Sequence, residues 1–235
     1  LEYVFKHALT QEVAYNSQLL KRRRVTHERV GQAIENLYGN RLEEFFEMLA
    51  YHYSLSNDSE KAYQYLKLSG NKAARNYSNR EAVRFYREAL TILDSWPVTE
   101  ERRREKIQLL LLLQIPLFLL GFPDDSIEIL QRTESLAQEL ADERALAQVH
   151  RALSLYHTIK GNLPLAVDYA ENCFYEAEKL EEIELMTQSA DQLCFAYFST
   201  GDSWKAVDIA QRALKLFEDH HLGRDLSTGG LNVYS

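Results

Sequence analysis

The sequence predicts an all-α solenoid built from helical hairpins repeated every forty residues or so, and three observations predict it. The 235 residues hold only nine glycines and four prolines. Long stretches are rich in Ala, Leu, Glu, Gln, Lys and Arg, the residues that lose least on entering a helix. Third, Gly121, Gly161 and Gly201 stand forty residues apart, and their flanks repeat with them: "GFPDDSIEILQRTESLAQEL", "GNLPLAVDYAENCFYEAEKL" and "GDSWKAVDIAQRALKLFEDH". A fixed period of this length marks a stacked helical-repeat array.

In chain order, residues 5–39 read as two helices joined near Asn16 to Leu20. Val13 follows Leu9 by one turn, and Val30, Ile34 and Leu37 form an apolar face on the second helix. Residues 43–70 read as a hairpin with Asn57 and Asp58 at the turn and Ala62, Leu66 and Ser69 on its second helix. Ala82, in "REAVRFYREALTIL" (80–93), comes only twenty residues after Ala62. One helix near 59–76 must therefore serve two hairpins. The stretch "DSWPVTEE" (94–101) is a joint, with Trp96 packed in a groove and Thr99 as a helix N-cap.

The forty-residue units then place first helices at 102–120, 142–160 and 182–200, each ended by a glycine in the left-handed conformation. Small or compact residues recur on the second helices: Ser126, Ala166 and Ala206; Leu130, Ala170 and Ala210; Thr133, Cys173 and Ala213. They let helices approach closely. The run "LLLLLQIPLFLLG" (109–121) is too short for a bilayer, which needs about 20 apolar residues. Gln114 and Pro116 interrupt it, and Pro123, Asp124 and Asp125 close it. It is expected to be a buried first helix, bent at Pro116 because proline lacks a backbone donor. The segment "DLSTGGLNVYS" (225–235) stands where a further first helix would begin. The expected divisions are 1–40, 41–98 and 99–235.

The repeats resemble tetratricopeptide repeats. The second-helix pattern is carried by "AVDIAQRA" (206–213) and the first-helix positions by Leu193 and Tyr197. The resemblance implies a right-handed α-α superhelix whose first helices line a concave binding face. A second resemblance lies in "FKHALTQEVAY" (5–15), followed by a basic run and "HERVGQAIE" (27–35). This stretch is similar to the one closing the winged-helix part of STAND-class signalling ATPases, just before their repeat arrays, especially in bacterial proteins fused to class III adenylate or guanylate cyclases. It implies that the chain, which starts "LEYVFKHAL" without an initiator Met, is the regulatory or sensor tail of such a polypeptide. Large ATP-dependent transcriptional activators share the plan and give an alternative parent. In that class a histidine can reach the β-phosphate of bound ADP, and His7 is the position onto which this role carries. The phosphate-binding loop, its lysine and the acidic metal-binding strand are absent from this sequence. A helix-start histidine satisfied by its neighbours is the simpler reading.

Composition narrows the function. With 27 Lys and Arg against 35 Asp and Glu, the net charge is −8, which disfavours nucleic acid and anionic membranes as partners. "LKRRR" (20–24) and "RRR" (102–104) read as solvated faces or domain contacts. Cys173 and Cys194 lack metal-ligand spacing and suit a reducing, cytoplasmic setting. No secretory signal pattern opens the chain. No phosphate loop, nucleophile elbow or zinc motif is found, and His150 and His157 read as packing residues. The expected chain is a non-catalytic interaction scaffold with no cofactor. Its partner is a protein or peptide, or the ATPase part of its own polypeptide, with self-association as an alternative. An enzyme site built between the helices is the rival of another class. The repeat register places Leu111, Ile115 and Phe118, then Arg151, Leu155 and Thr158, then Asp191, Phe195 and Phe198 on the concave face. A competing reading has Phe195 and Phe198 packing on a further repeat.

Overall fold

The computed structural model describes residues 12, 13 and 15–219, and among these all regular secondary structure is helical. The chain divides into two compact units, Leu1–Pro116 and Leu117–Ser235.

In the first unit, α1 (Leu20–Leu37) is followed by a 3-10 segment (Gly39–Phe45), α2 (Phe46–Ser54), α3 (Ser59–Arg75), α4 (Asn79–Ser95) and α5 (Glu100–Leu119), whose last residues enter the second unit. Asp58 caps α3 by accepting from Lys61 N at 3.0 Å. As the twenty-residue spacing of Ala62 and Ala82 requires, α3 packs on both α2 and α4. Both alanines are buried, as are Leu66 and Ser69. Thr99 caps α5 through its Oγ1, which accepts from Arg102 N at 3.2 Å. Trp96 is wedged between the Tyr63 ring and the Arg102 guanidinium, and its Nε1 donates to Ser59 Oγ at 3.0 Å. The apolar run of α5 is buried only in part: Leu109, Leu110 and Leu113 are core, as is Ile107 just before them, while Leu111 and Leu112 are half-buried and Ile115 and Leu119 are exposed, against the expectation of a buried helix. The helix continues through Pro116. Among the described residues no helix is long and apolar enough to cross a membrane.

Two expectations in this unit are corrected. Leu37 is 74% exposed, and the buried face of α1 is His27, Gly31 and Ile34. At about 100° per residue, Leu37 falls roughly a quarter-turn from the centre of that face, which is set by Tyr53 lying against Gly31 and bonding Glu35. Val13 is exposed as well. The helix expected from residue 43 begins at Phe46, because Arg41 takes a non-helical φ of −140° and Tyr38 stacks on Phe45 at 4.1 Å.

In the second unit, α6 (Ser126–Glu139), α7 (Glu143–Ile159), α8 (Leu163–Leu180), α9 (Ile183–Thr200) and α10 (Ser203–Asp219) pack in series, and α7 also touches α9. The period is written in the hydrogen bonds. The backbone N–H groups of Phe122, Asn162 and Asp202 donate to the carbonyls of Leu117, His157 and Tyr197 at 2.8, 2.8 and 2.9 Å. These bonds span Gly121, Gly161 and Gly201, whose φ angles are 71°, 80° and 85°, the helix-ending geometry that glycine adopts without a side-chain clash. Ser154 Oγ donates to the Ala166 carbonyl at 2.8 Å, and forty residues on Cys194 Sγ contacts the Ala206 carbonyl at 3.4 Å. Ser126, Ala166, Leu130, Ala170, Thr133 and Cys173 are buried as the repeat requires. On α10 the pattern weakens: Ala206 and Ala213 are half-buried and Ala210 is exposed, with no helix after α10 among the described residues.

Candidate interaction surface

The positions expected on the first helices fall on one face of each helix, because i, i+4 and i+7 share a face. On α9, Asp191 is exposed, Phe195 is 47% exposed and Phe198 71% exposed. On α7, Arg151, Leu155 and Thr158 are half-buried. The two triplets hold equivalent repeat positions on helices α7 and α9, which are in contact. Leu155 and Phe195 hold equivalent repeat positions, as do Thr158 and Phe198. Phe118 tilts against Phe122 with ring centroids 6.0 Å apart and contributes to packing. In the first unit, Leu111 is half-buried and Ile115 is exposed on α5. His7 lies outside the described residues.

Polar capacity on this face is sparse. Thr158 Oγ1 donates to Ser154 O at 2.9 Å and is occupied within its own helix. Arg151 Nε is shielded from solvent without a hydrogen-bond partner. Neighbouring cations are paired: Arg144 with Glu182, Lys179 with Glu143 and Arg212 with Glu178. The face thus combines exposed aromatic rings, aliphatic area, one cation and one carboxylate. It can bury apolar side chains and orient a charged group.

Neither cysteine is set up for nucleophilic chemistry. Burial pushes the Cys173 thiol up to about 12, with the carboxylate of Glu176 adding to the rise, and burial also raises Cys194. Both therefore stay protonated and unreactive near neutral pH. Among the described residues no group of three His, Cys, Asp or Glu can hold a metal. In the first unit a cleft between α3 and α5 is lined by Lys67, Glu100, Glu101, Arg104, Glu105 and Gln108. Glu100 is committed to Arg104 and Glu105 to Arg102. Two arginines of "RRR" are likewise tied into the helix surface, Arg102 to Glu60 and Glu105, and Arg104 to Glu100.

Three polar clusters escaped the sequence reading. Glu35 accepts from Lys61 Nζ at 2.6 Å, Tyr65 Oη at 2.6 Å and Tyr53 Oη at 2.8 Å. His27 meets His52 through their Nδ1 atoms at 2.9 Å and Tyr15 Oη through Nε2 at 2.9 Å. His150, read as a packing residue, lies between Glu134 and Glu176. The partners in each cluster come from different helices, so sequence spacing alone carries no signal for them.

No protein-family model and no curated sequence matches the chain. The likeness is to solved helical-repeat structures. One is BtubC (BKLC) from P. vanneervenii, 16% identical with a TM-score of 0.61, covering 93% of this chain and 98% of that one. Another holds the nearly identical tetratricopeptide-like repeats of a protein described as a Podospora anserina kinesin light chain, 15% identical with a TM-score of 0.63, covering 87% of this chain and 99% of that one. At such identities the likeness speaks for the fold. The chain has the all-α, tetratricopeptide-like solenoid fold that its forty-residue period predicts.

Proposed function

We propose that this chain is a non-catalytic scaffold that binds a protein or peptide on its first-helix face, and that it serves as the regulatory tail of a STAND-class signalling ATPase coupled to a nucleotidyl cyclase. The observation that carries the scaffold reading is the pair Phe195 and Phe198, two large aromatic rings left open to solvent on α9, at positions equivalent to the half-buried Leu155 and Thr158 of α7. Two large aromatic rings left in solvent on one helix face favour a binding role over a purely structural one. The fold is one in which repeats present such faces to partners. The signalling part rests on the resemblance of "FKHALTQEVAY" and "HERVGQAIE" to the segment that precedes repeat arrays in that class. In this reading the array binds an input protein or folds back on the ATPase, and residues 5–15 convey its position to the nucleotide site.

The test is made in the intact parent polypeptide. Deleting residues 41–235 changes its basal nucleotide turnover or abolishes its response to input. Unchanged output and unchanged response contradict the regulatory role.

A further inference from the structure

His150 lies on α7 with its side chain 7% exposed, one ring nitrogen on each of two neighbouring helices. Nδ1 is 2.9 Å from Glu176 Oε2 of α8, and Nε2 is 3.0 Å from Glu134 Oε1 of α6. The carboxylates are themselves largely covered, Glu134 at 19% and Glu176 at 15% exposure. An ionised carboxylate only accepts hydrogen bonds, and a neutral imidazole has one N–H to give. Both contacts are satisfied together only when both ring nitrogens carry protons. If one is lost, a nitrogen lone pair faces a carboxylate oxygen inside the protein, where an unmet polar contact is costly.

We propose that His150 is a proton-operated tie: doubly protonated it joins α6 and α8 through α7, and on losing a proton it lets go of one of them. The surroundings support this. Tyr169 of α8 lies tilted against His150 at 5.5 Å and flat on His157 of α7 at 5.5 Å. Cys173 of α8 stays protonated. Arg151, the neighbouring cation on α7, makes no hydrogen bond to either carboxylate. From α9, Gln192 donates to Ser154 and brings no charge to the cluster. Lys179 of α8 also attracts Glu176, though its ammonium is bonded to Glu143 of α7; the histidine is the group that hydrogen-bonds both carboxylates at once. Burial opposes its charge, but hydrogen bonding and attraction first from Glu176 and then from Glu134 outweigh this and raise its pKa above the usual histidine value.

The sign follows. A histidine with a raised folded pKa contributes stability that is complete below its unfolded value of about 6.5 and is lost as pH rises through the folded value. Within that window the local opening constant grows by up to about tenfold per pH unit. This is a property of the second unit alone and does not depend on the proposed partner.

The experiment uses the full chain, with the ring protons of His150 assigned by their loss in His150→Gln. The expected titration midpoint lies above 6.5, and amide protection in α6 and α8, corrected for intrinsic exchange, falls as pH rises through it. Glu134→Gln keeps an acceptor on Nε2 and protects the experiment if His150→Gln folds poorly. It lowers the midpoint and moves the loss of protection with it. A midpoint at or below 6.5, or α6 and α8 protection that ignores the titration, overturns the proposal.

Discussion

The Tyr86 ring of α4 rests on the bare backbone of Gly70 in α3: a β-carbon added to Gly70 would stand 2.6 Å from Tyr86 Cδ1 and closer still to Cε1. Tyr86 is 1% exposed and its Oη donates to Asn71 Oδ1 at 2.8 Å, so the ring has little room to retreat. Gly70→Ala would gain helix propensity yet overpack the α3–α4 contact. The net expectation is a loss of about 2 kcal/mol, read as a lower urea midpoint. In a double-mutant cycle with Tyr86→Ala, the combined loss is smaller than the sum, since the clash is absent once the ring is gone.

Helix ends in this chain follow two habits with opposite mutational consequences. Gly161 at φ 80° ends α7 with open space where a Cβ would sit, so Gly161→Ala strains the backbone alone and costs about 1–2 kcal/mol. Ala141 takes a similar φ of 49° after α6 without being glycine. Ala141→Gly relieves that strain and raises thermal stability, the gain held to about 1 kcal/mol by the added freedom of the unfolded chain. Calorimetry of the two variants shows opposite shifts.

Glu35 ties α1 to α2 and α3. Burial works to raise its pKa, but hydrogen bonds from Lys61, Tyr65 and Tyr53 outweigh burial and lower it. A carboxylate with a depressed folded pKa contributes stability that is present above its unfolded value and lost as pH falls through the folded one. Glu35→Gln is expected to cost about 1–2 kcal/mol at pH 7. The difference from the parent narrows as denaturation is followed downward through pH 4.

The His27–His52 pair gives the first unit the opposite response to that of His150. Burial lowers both pKa values, helped by Arg23 at His27 and by His27 at His52. A histidine with a lowered folded pKa takes up its proton more readily when unfolded, so stability is lost as pH falls below about 6.5. Hydrogen exchange in α1 and α2 should speed up, beyond the intrinsic pH effect, between pH 7.5 and 5.5. In His27→Gln the dependence shrinks, while α6 and α8 keep theirs.

What the sequence made legible depended on period. Gly121, Gly161 and Gly201 announced their turns because no other residue adopts their backbone so cheaply. Thr99 announced a helix start through capping chemistry, and Asn57 and Asp58 announced a turn. Ala62 and Ala82, twenty apart, revealed a helix shared by two hairpins. Ala141 and Glu181, both left-handed, were silent because neither residue type favours that conformation. Leu37 misled because apolarity does not say where a helical face ends. The ties of Glu35, His27 and His150 were beyond reach, since each depends on the rotation of one helix against another. On the first-helix face, the register placed Phe195 and Phe198 on one side of α9, and their exposure became known from the structure.

The most direct test of the scaffold reading compares this chain with its Phe195→Ala/Phe198→Ala variant as baits in lysate of the source cell, with bound proteins quantified by mass spectrometry. Both rings are exposed, so the variant should melt within a few degrees of the parent. Truncating an aromatic anchor costs about 2 kcal/mol of binding, or roughly thirtyfold in affinity. The account predicts a protein retained by the parent chain and lost from the variant. Equal retention by both baits, or retention by neither, contradicts a scaffold that works through this face.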